Sequence, residues 1–81
     1  MEEFLNYILS GIVDHEQEVK ITKEEESDVL RFNIELHDED YPRVIGKRGL
    51  TIKAITDVLR LYDVKKYPDL RRRVFINVTE N

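Results

Sequence analysis

The sequence predicts an α+β fold in which helices cover one small sheet. Two kinds of periodicity carry this prediction. Apolar residues recur at helical spacing near the N-terminus and again after residue 50, whereas three other segments alternate apolar and polar residues as half-buried strands do. A pair of glycines, Gly46 and Gly49, separates two of the predicted helices. The 81 residues suffice for one domain with a small core.

The first half of the chain is predicted to form one helix and two strands. Helical spacing indicates a helix over residues 2–10 that stops at Gly11. Its apolar positions are Phe4, Leu5, Ile8, Leu9 and Ile12. Alternation over residues 18–22 indicates a short strand, and residues 23–28 are predicted to be a charged turn. The clearest strand signal covers residues 29–36, with Leu30, Phe32, Ile34 and Leu36 on one face.

Two further helices are predicted, one on each side of the glycine pair. The first begins near Asp40, because Pro42 is tolerated only in a first turn, and it ends at Gly46. The second covers residues 50–63 and has an apolar arc of about 200°, wider than that of an ordinary surface helix. One stripe consists of Ile52, Ile55, Leu59 and Tyr62, and the other of Leu50, Ala54, Val58 and Leu61. The second stripe is covered either by the rest of the fold or by another subunit.

The last predicted element is a strand with a basic entrance. Residues 64–70 form a connection, and Arg71, Arg72 and Arg73 open the strand. Its apolar positions are Val74, Ile76 and Val78, and residues 79–81 are predicted to be a tail. The three arginines either extend a ligand contact or form a solvated strand start.

The charge is divided unequally along the chain. Residues 1–40 carry three cations and thirteen acids, whereas residues 41–81 carry ten cations and four acids, and the overall net charge is −4. Binding of nucleic acid depends on the local field, so this total does not exclude it. The absence of cysteine excludes disulfides and thiolate metal sites. No apolar run is long enough to span a bilayer, and the acidic start is unlike a signal peptide, so we expect a cytoplasmic protein.

Catalytic and metal sites find little support in the sequence. The segment His37-Asp38-Glu39-Asp40 places an imidazole beside three carboxylates, but it lacks the glycine and the later glutamate of an EF-hand loop. These acids are predicted to cap the following helix, and neither a metal site nor a cofactor is predicted. Gly46-Lys47 does not complete a P-loop, because Arg48 replaces the required Ser/Thr. We therefore expect that the protein is not an enzyme.

The loop between the two glycines is the candidate binding site. Gly46 can take a positive φ just past a helix end, and Gly49 has no Cβ to keep a ligand's backbone away. The helix that begins near Leu50 directs its free N–H groups and the positive end of its dipole at the loop, an arrangement that attracts phosphate. Lys47 and Arg48 add positive charge. The alternative is a tight helical corner with two solvated cations.

The flanks of this loop carry a family resemblance. Residues 44–55 read Val-Ile-Gly-x-x-Gly-x-x-Ile-x-x-Ile, which resembles the signature of the KH domain, a module that binds single-stranded RNA. The predicted element order, αββααβ, is similar to that of the type II KH fold. The short chain and the segment Ile12-Val13-Asp14-His15 resemble the small bacterial KhpA family. This resemblance implies that residues 1–81 form a single KH domain with a three-stranded mixed sheet and three helices on one face.

The resemblance also implies a site and partners. The residues implied to bind RNA are Val44, Ile45, Gly46, Lys47, Arg48, Gly49, Ile52 and Lys53. The glycine loop would clamp the nucleotide backbone, Val44, Ile45 and Ile52 would form the floor of an apolar groove, and residues 30–36 its opposite wall. Leu50 stands where relatives often carry a basic residue, and Pro42 where a small residue is common. The implied partners are single-stranded RNA and either a second copy or a larger KhpB-type protein.

The expected function is weak RNA binding with little sequence preference. A KH loop holds the backbone of about four nucleotides. No aromatic residue lies within 44–55, so base stacking, worth ~1–3 kcal/mol per base, is largely missing there. This suits an RNA chaperone or a post-transcriptional regulator. The alternative is a protein-interaction or dimerisation module that uses the apolar arc of helix 50–63, with a vestigial RNA surface.

Overall fold

A computed structural model describes residues 1–79 and contains three α-helices and three β-strands. Their order is α1 (Glu2–Ser10), β1 (Lys20–Glu26), β2 (Val29–Glu35), α2 (Tyr41–Ile45), α3 (Leu50–Lys66) and β3 (Arg73–Thr79). This confirms the predicted α+β fold and its αββααβ order. Thr79 ends β3 and is not part of a tail, because it pairs with Glu35 of β2. Residues 80–81 of the predicted tail lie outside the described residues.

The sheet is mixed and has the order β1-β2-β3. β1 runs antiparallel to β2, with Lys20 opposite Glu35, and β2 runs parallel to β3, with Val29 beside Arg73. Parallel strands need a crossover connection, and α2 with α3 supplies it. The glycine loop therefore lies within the crossover and not at a hairpin.

The hydrophobic core lies on one face of the sheet. Its side chains, all at most 6% exposed, come from the three helices, from β2 with the residue that follows it, and from β3. They are Leu5, Leu9, Leu30, Phe32, Ile34, Leu36, Tyr41, Val44, Ile55, Leu59 and Val74. The opposite face is mostly polar, and there the side chains of Asn33 and Asn77 hydrogen-bond across β2 and β3 at 3.2 Å. The three helices thus cover one face, as predicted.

β1 differs from its prediction in both position and length. Residues 18–22 were expected to be the strand and 23–28 a charged turn, but β1 runs from Lys20 to Glu26 and only Ser27 and Asp28 turn. β1 is an edge strand whose side chains are almost all exposed, so it needs no apolar alternation. Backbone pairing with β2 holds it in place. Charged side chains on such an edge oppose pairing with other chains.

The end of α3 is fixed by an ion pair that the sequence analysis missed. The Arg72 guanidinium donates to both Asp63 carboxylate oxygens, at distances from 2.6 to 3.1 Å, and also donates to Glu25 at 2.6 Å. Asp63 is 2% exposed, and α3 extends past it to Lys66 instead of ending at residue 63. Hydrogen bonding to Asp63 raises the pKa of Arg72 above its ordinary value despite the opposing effect of burial.

This ion pair corrects the interpretation of the three arginines. The Arg72 side chain is only 13% exposed, so it is neither a solvated strand start nor a free ligand contact. Arg71 and Arg73 are exposed. The pair joins the last turns of α3 to the start of β3, across a connection that contains no other regular element.

Asp40 does not cap α2 with its side chain, contrary to the prediction. The carboxylate is 1% exposed and accepts the backbone N–H groups of Asp14 and His15, each at 3.0 Å. Burial alone would raise the pKa of Asp40, but these two N–H donors and the nearby imidazoles of His15 and His37 hold it below its ordinary value. Asp40 thus holds the loop between α1 and β1 against the start of α2.

None of the helices within residues 1–79 has the length and apolar character needed to cross a bilayer.

Candidate nucleic-acid interface

Gly46 and Gly49 form the joint between α2 and α3. Gly46 donates its N–H to the Pro42 carbonyl at 2.9 Å and has φ 76° and ψ 173°. Gly49 donates to the Gly46 carbonyl at 3.1 Å, has φ 73°, and immediately precedes α3. Arg48 between them also has a positive φ of 58°. The positive φ predicted at Gly46 is therefore confirmed. Together, the positive φ angles of Gly46, Arg48 and Gly49 reverse the chain direction within four residues.

Glycine is required at position 46 for two reasons. Its φ and ψ lie in a region that is essentially restricted to glycine. In addition, a Cβ atom there would lie 2.6 Å from Cβ and 2.9 Å from the backbone nitrogen of Thr51. Thr51, in the first turn of α3, thus packs directly against Gly46. The sequence analysis did not single out Thr51, although its position two residues after Gly49 placed it in that turn.

The surroundings of Gly49 are open. A Cβ atom built at this glycine would meet no atom within 4 Å. The first backbone N–H of α3, that of Leu50, donates to the Lys47 carbonyl. No side chain caps the first turn of α3, so the N–H groups that follow and the positive end of the helix dipole have no side-chain partner. A ligand's backbone can therefore come close to both.

Positive charge surrounds this opening. Lys47 and Arg48 are exposed, and neither forms a salt bridge with another residue of the described range 1–79. Lys53 lies 3.3 Å from Asp57, and its side chain remains 73% exposed. Elsewhere the acidic first half of the chain, residues 1–40, contacts the basic second half. For example, Arg43 forms a salt bridge with Asp14 at 2.9 Å. At the glycine loop, by contrast, Lys47 and Arg48 keep their positive charge unpaired within residues 1–79.

The apolar groove is smaller than the family resemblance implied. Ile45 and Ile52 are partly exposed beside the loop, but Val44 is 0% exposed and lies wholly in the core. The family resemblance also implied that residues 30–36 form the opposite wall of the groove. The apolar side chains of this segment are instead buried, because β2 is the central strand and its apolar face packs under the helices. Val44 therefore supports the loop from below, and Ile45 and Ile52 are the members of the expected groove that reach the surface.

A second candidate surface runs along α3. The apolar stripe that begins at Leu50 is left uncovered by the fold, since the exposed fractions are 62% at Leu50, 43% at Val58 and 71% at Leu61. Val64, 62% exposed, extends this stripe towards the C-terminal end of α3. The sequence analysis offered two explanations, that the rest of the fold covers this stripe or that another subunit does. The first explanation is wrong. Leu50 belongs to both surfaces, because it also borders Gly49.

Comparison with known proteins decides the family. The model of the KhpA/KhpB KH domain matches residues 2–76. The chain belongs to the KhpA/KhpB family of KH domains. The resemblance inferred from residues 44–55 and from the element order is thereby confirmed.

Several curated relatives of this KH domain are named RNA-binding protein KhpA. The one from Halalkalibacterium halodurans is 28% identical over 80 residues, which cover 99% of this chain and all of that protein. The one from Listeria monocytogenes is 35% identical over 74 residues, or 91% and 97% of the two chains. The one from Thermotoga maritima is 41% identical over 59 residues, or 73% and 79%. No solved structure gives a significant match.

Proposed function

We propose that this KhpA/KhpB-type KH domain, with residues 1–81 acting as one unit, binds single-stranded RNA through the Gly46–Gly49 loop. The observation that carries the proposal is the open space over Gly49, beside a helix start without a side-chain cap and two cations without salt-bridge partners in the described chain. The relatives' name, RNA-binding protein KhpA, supports it. In this proposal the protein is a binding module, not an enzyme, and works in the cytoplasm.

The geometry supports a division of roles among the site residues. Gly46 shapes the reversal, Gly49 admits the sugar–phosphate backbone, and Lys47 and Arg48 neutralise phosphates. The N–H groups of the first turn of α3 that follow Leu50 provide donors for a phosphate oxygen. Lys53, on the second turn of α3, faces solvent and can contact a further phosphate once Asp57 releases it.

Bases of about four nucleotides would lie against the exposed parts of Ile45 and Ile52, with Val44 as their support. Apolar contact with two aliphatic side chains distinguishes bases poorly, and no aromatic residue of the loop region adds stacking. Binding should therefore be weak and tolerant of sequence. These properties suit an RNA chaperone or a general post-transcriptional regulator.

Reversing both loop charges, with Lys47→Asp and Arg48→Asp, is expected to weaken binding of a short single-stranded RNA at least about tenfold at low salt. The change replaces two phosphate-neutralising cations by two anions. For the wild type, two or three neutralised phosphates predict a slope of log K against log salt of about −1.4 to −2.1, from about −0.7 per phosphate on single strands. Fluorescence anisotropy of a labelled RNA across a salt series measures both quantities.

The matched control is Lys65→Asp with Lys66→Asp, which changes the net charge equally at the opposite end of α3, about 25 Å away at 1.5 Å per residue. This control should keep most of the affinity and the wild-type salt slope. If the two double variants bound RNA equally well, the loop would not be the clamp. Far-UV circular dichroism confirms that both variants are folded.

We propose as a second function that the exposed stripe of α3 mediates pairing with another copy or with a KhpB-type protein. Exposed apolar residues along a whole helix face are typical of interaction surfaces. The stripe consists of Leu50, Val58, Leu61 and Val64. Because Leu50 borders Gly49, a partner that covered the entire stripe would also approach the RNA loop.

Val58→Asp is expected to abolish such a homodimer, because it places a charge in the middle of the stripe and would bury it unpaired. Multi-angle light scattering at several concentrations measures the mass. Thr22→Asp, on the exposed edge strand β1, is the control and should leave the mass unchanged. An identical mass for the wild type and Val58→Asp would remove the stripe as a homodimer interface.

A further inference from the structure

Both histidines of the chain meet at one place, although they are 22 positions apart in sequence. The imidazole rings of His15 and His37 stack with centroids 3.7 Å apart and an interplanar angle of 20°. The Glu39 carboxylate lies 3.7 Å from Nε2 of His15. One potential ligand atom from each of these three side chains lies within 4.8 Å of the others. The cluster joins the loop before β1 to the loop before α2.

The backbone beneath the cluster is fixed in place. Buried Asp40 accepts the N–H of His15, which holds that loop against the start of α2. Nδ1 of His37 accepts the N–H of Glu39 at 3.1 Å, so in the neutral ring the proton lies on Nε2. Metal binding through Nε2 therefore moves this proton to Nδ1 and breaks the hydrogen bond from Glu39. Glu18 places a second carboxylate oxygen 3.6 Å from Nε2 of His37. The His15 and His37 side chains remain 35% and 28% exposed, so an ion can reach them from solvent.

Two imidazoles and a carboxylate are a donor set for a borderline divalent transition metal, above all Zn²⁺. They do not suit Ca²⁺ or Mg²⁺, which prefer oxygen ligands alone. Tetrahedral bonds of about 2.0–2.2 Å place ligand atoms about 3.3 Å apart, so ligand atoms now within 4.8 Å of one another must close by up to about 1.5 Å. The two imidazoles must also rotate out of their stack, because each nitrogen lone pair lies in its own ring plane. All three side chains are partly exposed, which permits this rotation, and Glu18 or water can fill the fourth position.

We propose that His15, His37 and Glu39 form an intramolecular Zn²⁺ site that fastens the loop before β1 to the loop before α2. The inference does not depend on RNA binding, because the cluster precedes α2 whereas the glycine loop follows it. The sequence alone excluded an EF-hand at residues 37–40 but did not predict this site, since His15 joins only through the fold. Of the neighbouring carboxylates, that of Glu18 lies within reach of the cluster, 3.6 Å from Nε2 of His37.

The test is a calorimetric titration of the full, untagged chain with Zn²⁺, compared with its His15→Gln, His37→Gln and Glu39→Gln variants. One equivalent should bind per chain, and each histidine substitution should weaken binding at least about tenfold. The matched controls, Glu16→Gln and Asp38→Asn, remove neighbouring carboxylates outside the cluster and should leave the affinity within about twofold of the wild type. Imidazole ¹H–¹⁵N spectra should show Nε2 of both histidines shifting together with Zn²⁺.

Three results would overturn the proposal. They are no saturable binding of Zn²⁺, equal weakening by the histidine and control substitutions, and a mass that doubles on Zn²⁺ addition because the histidines bridge two copies. Melting temperatures of the zinc-free variants report whether they are folded. If a glutamine variant fails to fold, the imidazole spectra of the wild type decide, because unshifted Nε2 signals at one equivalent of Zn²⁺ reject the site.

Discussion

Replacing Asp63 by alanine is expected to lower the free energy of unfolding by about 3 kcal/mol, which corresponds to a fall in melting temperature of about 12–24 °C for a domain of this size. Asp63 is 2% exposed and the Arg72 side chain 13%, so the substitution leaves a largely buried guanidinium without its main partner. The cost lies at the low end for broken buried pairs because Glu25 still accepts from Arg72 at 2.6 Å. Urea and thermal unfolding followed by circular dichroism measure both quantities.

Two control variants separate the ion pair from a general effect of lost charge. Asp69→Ala removes an exposed carboxylate near the same end of α3 and should change stability by less than about 0.5 kcal/mol. Replacing both partners by apolar side chains, with Asp63→Leu and Arg72→Met, should recover most of the loss, since well-packed apolar pairs often equal buried ion pairs. An Asp63→Ala variant as stable as Asp69→Ala would show that the pair contributes nothing.

Gly46→Ala is expected to be the most damaging substitution in the glycine loop, with a loss of about 3 kcal/mol of stability. The new side chain would occupy a backbone region essentially restricted to glycine, and it would also collide with Thr51 at the start of α3. Any shift that relieves the collision moves the first turn of α3 away from the loop. RNA affinity should therefore fall together with stability, and anisotropy and urea titrations measure the two effects.

The neighbouring glycine is the matched control. Gly49 lies in the ordinary left-handed region with open space around it, so Gly49→Ala should cost only about 1 kcal/mol of stability. It should nevertheless weaken RNA binding, because the added methyl group faces the open side. Thr51→Ala added to Gly46→Ala should restore stability only in part, since Cβ and the backbone nitrogen of residue 51 remain too close. Equal stability of the two single-glycine variants would contradict this assignment.

The glycine loop was predictable because its chemistry is local. A positive φ at Gly46, the start of α3 next to Gly49 and the exposure of Lys47 and Arg48 all follow from residues close together in sequence. The groove was less predictable, because its walls come from separate elements. The sequence could not show that β2 is the central strand, which puts the expected wall in the core, or that Val44 is fully buried.

Local periodicity by itself determined most elements, and the motif of residues 44–55 together with the element order indicated the family. The bounds of α1, Glu2–Ser10, agree with the prediction, and β2 was expected with one extra residue, because a strand with one buried face must alternate. β1 escaped prediction because an edge strand that pairs through its backbone carries no such constraint on its side chains. The bounds of β1 are set by its backbone pairing with β2, and the residues of β1 alone do not reveal this pairing.

Only the tertiary structure decided the contacts between side chains that are distant in sequence. Arg72 with Asp63 and Glu25, His15 with His37, and Asp40 with the loop before β1 depend on how the elements pack. A charge pattern in one dimension does not say which opposite charges will be buried together. It likewise does not say which apolar stripe of α3 remains exposed, because that depends on where the sheet ends beneath the helix.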